Sequence, residues 1–503
     1  MEQTKLIQIA PEDNVAVATV PLATGETVDL NGQVLTVIQD IPFGHKIALC
    51  DLPEGDNIIK YGHPIGHAKA DIKAGEHVHT HNIATNLGEL LDYSYDRNDA
   101  VIDSFDLTRP ENRQEASFEG YLREDGRAGI RNEIWIVPTV GCVNKTAEKL
   151  AALADAKFGD RTDGIHAFTH NMGCSQLTED MERTQKLLAG IINNPNAGAV
   201  LVLSLGCENN NLDVFKPFLG DYNPECIRFL VSQDTEDEME AGMEILSELS
   251  DYASQFKRQT LDAGKLTIGF KCGGSDAFSG ITANALCGRV NDRLVRCGGT
   301  TLLTEVPEMF GAETGLMNRA VNEEVFQKEV GLINGFKQYF TRYGQTIYEN
   351  PSPGNKKGGI STLEDKSSGC VQKGGQAPVV DVLDYGEPAV KNGLNLLTGP
   401  GNDQVSCTGL TASGAVMILF TTGRGNPFGA PVPTLKIASN TPLYKKKTNW
   451  VDFNAGVVLD GTDMETAAGS LFQCVLDTAS GKAAKNETSG YREISVFRDG
   501  VIL

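Results

Sequence analysis

The sequence predicts an α/β protein: a small N-terminal β-clip followed by a large, mostly parallel sheet with helices on both faces. Three observations carry this. Residues 1–95 are short alternating runs such as VAVATV, VLTVI and KIALC, separated by glycine turns. From Glu119 onward the pattern becomes strand, glycine loop, helix, with a period near the roughly 30 residues of a βα unit. The run GAVLVLS within residues 198–204 is continuously apolar, as a strand covered on both faces must be. The boundaries read as a clip at 1–95, a linker at 96–118, a central α/β unit at 119–255 and a C-terminal α/β unit at 256–503.

In the clip, four turns share one pattern: ATGETV at Gly25, PFGHKI at Gly44, PEGDNI at Gly55 and KAGEHV at Gly75. Glycine supplies the positive φ of tight hairpin turns. The clip ends in HVHTHN, where His77, His79 and His81 alternate. On a strand they would line one face, as a metal or anion site or as a solvated histidine-rich edge. Residues 96–118 are polar without a clear period and read as a linker crossing the surface.

In the α/β half, four strands end in the same way. IWIVPTVGC stops at Cys142, IHAFTHNMGC at Cys174, VLVLSLGC at Cys207 and KLTIGFKC at Cys272. Ligands bind beyond the carboxyl ends of parallel strands, so the four thiols are expected on one edge of one sheet. Together with Glu208, Asp276 and His170 they are candidates for one metal site. Soft sulfur ligands favour iron–sulfur or zinc, and mixed imidazole and carboxylate favour Fe(II) or Mn(II). The plain alternative is that cysteine is a good small buried residue. Glu305 and Glu308 fall just beyond a further strand. Residues 340–377, rich in Gly, Pro and Ser, read as a long loop carrying Lys356 and Lys357, suited to an anion. TTGRGNPFG puts Arg424 at another strand end, where a guanidinium can grip a carboxylate bidentately.

Composition removes several function classes. The chain has 503 residues, 66 acids against 44 bases and a formal charge of −22, which speaks against a general nucleic-acid surface. An anionic small substrate needs only a local basic pocket. No run reaches the roughly 20 apolar residues of a membrane helix, and the N-terminus lacks a signal-peptide pattern, so a cytoplasmic protein is expected. Eleven cysteines without any C-x-x-C fit neither a disulfide scaffold nor a zinc finger. LTGPGNDQ at 397–404 lacks the third glycine of a dinucleotide fingerprint, and no phosphate-binding GxxxxGK[ST] occurs.

Along nearly its whole length the chain resembles the altronate and galactarate dehydratase family. The stretches that carry this are HVHTHN, VPTVGCVN, GCSQ, LGCENN, CGGSDAFSGITAN, TEVPEMFGAE, NPSPGNKKGGISTLEDKS, GPGND and FTTGRGNPFG. HVHTHN, TEVPEMFGAE and GGISTLEDKSSGC look like the altronate branch; a galactarate-type enzyme is expected to lack the histidine triplet. The resemblance implies a SAF-like clip, a central domain used in homodimer formation and a C-terminal Rossmann-like sheet. It also implies dependence on iron, sometimes manganese. The implied reaction dehydrates D-altronate across C2 and C3 to 2-keto-3-deoxy-D-gluconate. The runners-up are a galactarate dehydratase, a sulfolactate-type lyase, or a non-catalytic sugar-acid sensor on the same scaffold.

On this reading iron, as Fe(II) or an iron–sulfur cluster, is assigned to Cys174, Cys207 and Cys272, with Cys142 as fourth ligand or neighbour. His170, Lys357 and Glu208 are assigned to catalysis. Lys356, Arg424, Ser275, Asp276 and Asn209 are assigned to the substrate. His77, His79 and His81 form a lid or a second metal site.

Overall fold

The structure is a computed structural model that describes residues 5–88 and 90–503. Residues 1–4 and Glu89 of the expected clip segment lie outside it. The clip contains a four-stranded antiparallel sheet in the order Leu6–Ile7, Val15–Ala18, Lys46–Ala48, His77–Val78. A hairpin (Thr27–Leu30 with Gln33–Thr36) and a three-stranded sheet (Asn57–Lys60, His63–Ala68, Ile83–Ala84) complete it. The four turn glycines have φ between 81° and 89°, the left-handed region that disfavours side chains.

The segment after the clip is not featureless. Asp99–Ser104 is a helical turn whose Asn98 side chain accepts from the Val101 N–H. Ser117–Leu122 then pairs antiparallel with Gln259–Asp262. This clasp closes off the central unit at both of its ends.

The large parallel sheet expected from the sequence is present, with seven strands, but the strands of the central unit form a four-stranded sheet of their own. This sheet, the first in chain order, holds β1 (Glu133–Pro138), β2 (Ile165–Ala167), β3 (Ala197–Ser204) and β4 (Ile227–Val231), in the order β2-β1-β3-β4. Helices α1 (Asn144–Phe158), α2 (Thr178–Ile192) and α3 (Glu238–Ala253) pack on it. The second holds β5 (Thr267–Cys272), β6 (Thr300–Leu303), β7 (Val379–Leu383), β8 (Gly393–Leu397), β9 (Met417–Thr422), β10 (Thr434–Ala438) and β11 (Phe453–Asn454). Its order is β7-β8-β6-β5-β9-β10-β11, all parallel. Every residue of β3 and β9 is buried, as strands covered on both faces require.

The two sheets share a core. Trp135, Val200 and Val202 of the first join Leu302, Ile418 and Phe420 of the second in one apolar cluster, with Leu187, Leu188 and Ile191 of α2 between them. Asn194 and Asn196 reach across to the carbonyls of Thr411, Ala415 and Val416. The 340–377 segment is also more regular than a loop. It contains the short helix Pro353–Lys357, with a Ser352/Asn355 capping box, and the helix Leu363–Cys370 started by Thr362. Ser and Thr are helix caps as well as loop residues, which is why composition alone misleads there.

Candidate active site

Strand order locates a crevice in the second sheet. From β5 the chain passes to its neighbour β6, on to the edge strand β7 and back in to β8, all on one side, then crosses to the other side of β5 with β9. The order therefore reverses between β5 and β9, and ligands in open α/β sheets bind at that point, beyond the strand carboxyl ends. Cys272 pairs with Thr421 there. The two loops that follow are joined because the N–H groups of Gly423 and Arg424 both donate to Gly274 O at 3.0 Å. A Cβ on Gly423 would stand 2.3 Å from Asp276 Cγ, so glycine is required for this approach.

Several predicted residues converge on the crevice. The Asn355 amide donates to Ser275 O at 2.9 Å, holding the Pro353–Lys357 helix over the β5 loop. Gly354 faces the Arg424 side chain: a Cβ on it would lie 3.9 Å from Nε. Ser275 Oγ is buried and has no hydrogen-bond partner, a polar atom aimed where a ligand could satisfy it. Lys356 and Lys357 form the last turn of the helix.

The clip closes the crevice from above. Its Lys46 donates to Gly359 O at 2.8 Å, and a Cβ on Gly359 (φ 98°) would sit 2.2 Å from Gly44 O. That contact presents His45, whose Nε2 lies 3.4 Å from Lys357 O and whose Nδ1 lies 2.9 Å from His77 Nε2. The ligand atoms of His45, His77 and His79 all lie within 4.8 Å of one another. Burial, with His45, His81 and Lys46 adding to it, lowers His77 to about 4. Burial, with Lys46 nearby, lowers His79 to about 3. These are neutral imidazoles at pH 7, the form that binds a divalent ion. His79 Nδ1 is buried and unpartnered, so the donor set fits a metal.

The expected triplet is thus altered. Only His77 lies on a strand. His81 stays exposed beside His77, at 5.3 Å between ring centroids. The third member is His45, which sequence reasoning missed. A signal existed: PFGHKI and KAGEHV share the turn pattern, and their strands pair, Ile47 opposite His77.

Below the crevice lies a second cluster that spacing did not reveal. Cys272 Sγ is 3.3 Å from Cys370 Sγ and 3.5 Å from Glu308 Oε2. Lys373 donates to Cys272 Sγ at 3.0 Å and pairs with Glu305 at 3.0 Å, while Lys366 pairs with Glu308 at 2.8 Å. Burial alone would raise Glu308, but Lys366, Lys271 and Lys373 bring it down to about 2. The Cys370 thiol, by hydrogen bonding, lowers Cys272 against its burial. Ammonium groups already neutralise this cluster, which disfavours a further dication there.

Five assignments are corrected. Cys272 sits on the second sheet, whereas Cys142, Cys174 and Cys207 end strands of the first, so the four do not share one edge. His170 is buried with Nε2 on Pro138 O at 2.7 Å and Nδ1 accepting from Met172 N at 3.1 Å, which leaves no nitrogen for a substrate proton. Glu208 is buried and accepts from Thr139 Oγ1, Ser204 Oγ, Leu205 N and Gly206 N. Asp276 is likewise consumed by Ser279, Ser439 and Asn440. Asn209 lies on the first sheet's edge, where its Oδ1 holds Ser175 N. Glu208→Ala is expected to lower stability by about 3 kcal/mol, through the buried donors it strands, as read by urea melts. Glu208→Gln is expected to keep most of the turnover; abolished turnover at unchanged stability would return Glu208 to catalysis.

The comparisons with known proteins cover the whole architecture. The altronate/galactarate dehydratase SAF domain matches residues 4–86, the D-galactarate dehydratase/altronate hydrolase second domain matches 120–254, and the D-galactarate/altronate dehydratase C-terminal domain matches 263–502. The chain is 51% identical to an altronate dehydratase of Bacillus subtilis and 48% identical to one of Escherichia coli, each over 99% of both chains. It is 32% identical to an Escherichia coli galactarate dehydratase (L-threo-forming) over 89% of this chain and 88% of that one. With three consecutive domains matched in order and half of its residues shared with full-length relatives, the chain belongs to the altronate/galactarate dehydratase family.

Proposed function

We propose that the chain is a hydro-lyase that dehydrates D-altronate to 2-keto-3-deoxy-D-gluconate. The observation that carries this is the convergence of Arg424, Ser275, Lys356, Lys357 and the His45/His77/His79 cluster on one crevice. The higher identity to the altronate dehydratases than to the galactarate dehydratase supports the choice of acid.

A C2–H beside a carboxylate is a very weak acid, so charge must be stabilised as the proton leaves. Arg424 grips the carboxylate bidentately, and Ser275 Oγ supplies a hydrogen bond that nothing in the protein takes. Lys357, whose carbonyl meets His45, removes the C2 proton. Lys356 faces the hydroxyls. The C3–O bond then breaks, the leaving hydroxyl takes the proton now held on Lys357 and departs as water, and the enol ketonises. His45, His77 and His79 would hold Fe(II) or Mn(II), which would supply Lewis-acid stabilisation of the developing negative charge.

Incubating the purified chain anaerobically with Fe(II) or Mn(II) and D-altronate, galactarate or sulfolactate, and following 2-keto-acid or sulfite release, tests the reading. Altronate turnover is expected to dominate; turnover of another acid alone, or of none, overturns it. Arg424→Lys is expected to lower kcat/KM about 10- to 100-fold, since a bidentate charged pair contributes about 1.5–3 kcal/mol. The same reading takes the protein to be a cytoplasmic homodimer joined through its central domain, which sedimentation analysis checks. Among the described residues no helix is long and apolar enough to cross a membrane.

A further inference from the structure

We infer that Cys142, Cys174 and Cys207 form a three-thiolate site for a [4Fe–4S] cluster, separate from the histidine cluster and from Cys272. The three cysteines follow three adjacent strands, β1, β2 and β3. Pro138 pairs with Leu203, and Cys142 and Cys207 each come four residues later. Ala167 pairs with Ile136, which brings the β2 loop beside them.

Hydrogen bonds tie the three loops together right beside the thiols. Gly141 N donates to Met172 O, and Asn210 N to Gly173 O, both at 3.0 Å. Asn210 Nδ2 donates to Thr139 O at 3.0 Å, and Ser175 N to Asn209 Oδ1 at 2.9 Å. A Cβ on Gly173 would stand 2.0 Å from Thr139 O, so the loops approach as closely as backbones can. Glu208 is the peg of this arrangement, which explains its burial: it bonds the β1 end through Thr139 and the β3 end through Ser204, Leu205 and Gly206.

The thiols themselves stay exposed. Two receive side-chain donors: Gln233 Nε2 lies 3.3 Å from Cys207 Sγ, and Ser175 Oγ 3.8 Å from Cys174 Sγ. Ser175 also holds φ at +58°, strain of the kind found at ligand clamps. Cys142 sits just before the N-terminus of the 15-residue helix α1.

Spacing separates a cluster from a single ion. Two thiolates on one tetrahedral zinc stand about 3.8 Å apart, given bonds of about 2.3 Å. The His45 and Cys272 groups hold their ligand atoms within 4.8 Å of one another, as a single ion needs, whereas the three thiols are carried by three separate strand-end loops. Cubane corners hold their thiolates farther apart, and donors to the sulfurs tune such clusters. The loops offer three cysteines and no fourth, so one iron would carry an oxygen ligand from solvent or from a hydroxy acid. That iron is expected to be labile. One-electron oxidation by ferricyanide would release Fe2+ from [4Fe–4S]2+ and leave [3Fe–4S]+.

The inference does not depend on which acid is dehydrated, and its test does not use turnover. The full-length chain is reconstituted anaerobically with ferrous iron and sulfide, then assayed for iron, acid-labile sulfide, visible absorption and electron paramagnetic resonance. About four iron and four sulfide per chain are expected, with a three-iron signal after ferricyanide. Cys142→Ser, Cys174→Ser and Cys207→Ser are each expected to lose most of the labile sulfide, while Cys50→Ser and Cys272→Ser keep it. Thermal melts of the cluster-free variants check that they fold. A folded wild-type chain that takes up no labile sulfide, or Cys272→Ser losing as much as the trio, overturns the assignment.

Discussion

Asp365→Ala is expected to cost about 3–5 kcal/mol and to loosen the clip from the C-terminal unit. Lys46 and Lys60, both on clip strands, reach Asp365 at 2.8 and 2.9 Å, and all three side chains are essentially fully buried. Removing the carboxylate leaves two ammonium groups in the interior without a counter-charge. Burial would raise the Asp365 carboxyl, but Lys46 and Lys60 hold it well below the usual carboxylate range. A carboxyl lowered in the folded state stabilises above its unfolded pKa of about 3.9 and loses that contribution as pH falls toward its folded value. The docking is therefore expected to persist through mildly acidic pH and to weaken only in strong acid. Thermal melting and protease cleavage between residues 88 and 117 measure both effects. The triple variant Lys46→Met, Lys60→Met, Asp365→Leu is expected to recover much of the loss, because apolar groups of similar size can replace a buried ion cluster. An Asp365→Ala protein with unchanged melting and cleavage would show that the clip is held by its other contacts, such as Thr85 and Asn86 on Glu364.

His79→Ala is expected to lower kcat by roughly 10³-fold, as losing several kcal/mol of Lewis-acid stabilisation implies. His79 offers the unpartnered nitrogen of the cluster, so its loss removes a ligand without stranding a hydrogen-bond partner. Bound Fe(II) or Mn(II), measured by equilibrium dialysis, is expected to fall in parallel. His63→Ala, on an exposed clip position outside the cluster, is the control expected to leave both unchanged. Full metal content and full turnover in His79→Ala would remove the histidines from the chemistry. If the metal is lost but turnover stays, the cluster is a structural site.

The clip was legible because its four glycine turns repeat one local pattern, and local patterns survive without tertiary information. The strand-end positions of Cys142, Cys174, Cys207 and Cys272 were legible for the same reason. Their division between two sheets was not. A βα unit has the same period in either sheet, and only the pairing of Ser117–Leu122 with Gln259–Asp262 closes the first unit before β5 begins.

His170, Glu208 and Asp276 show the opposite error. A polar residue after an apolar strand looks chemically active in a linear reading. Burial decides otherwise, because a buried polar group must first satisfy its own hydrogen bonds, and these three spend theirs on pinning loops. His45 and Cys370 were invisible for want of a local signal, since their partners lie 32 and 98 residues away. The sequence by itself determined the domain order, the strand-end loops and the family. Tertiary structure alone decided which of those loops face one another, because proximity across a sheet edge or a domain interface depends on strand order and packing and leaves no periodic trace in the chain.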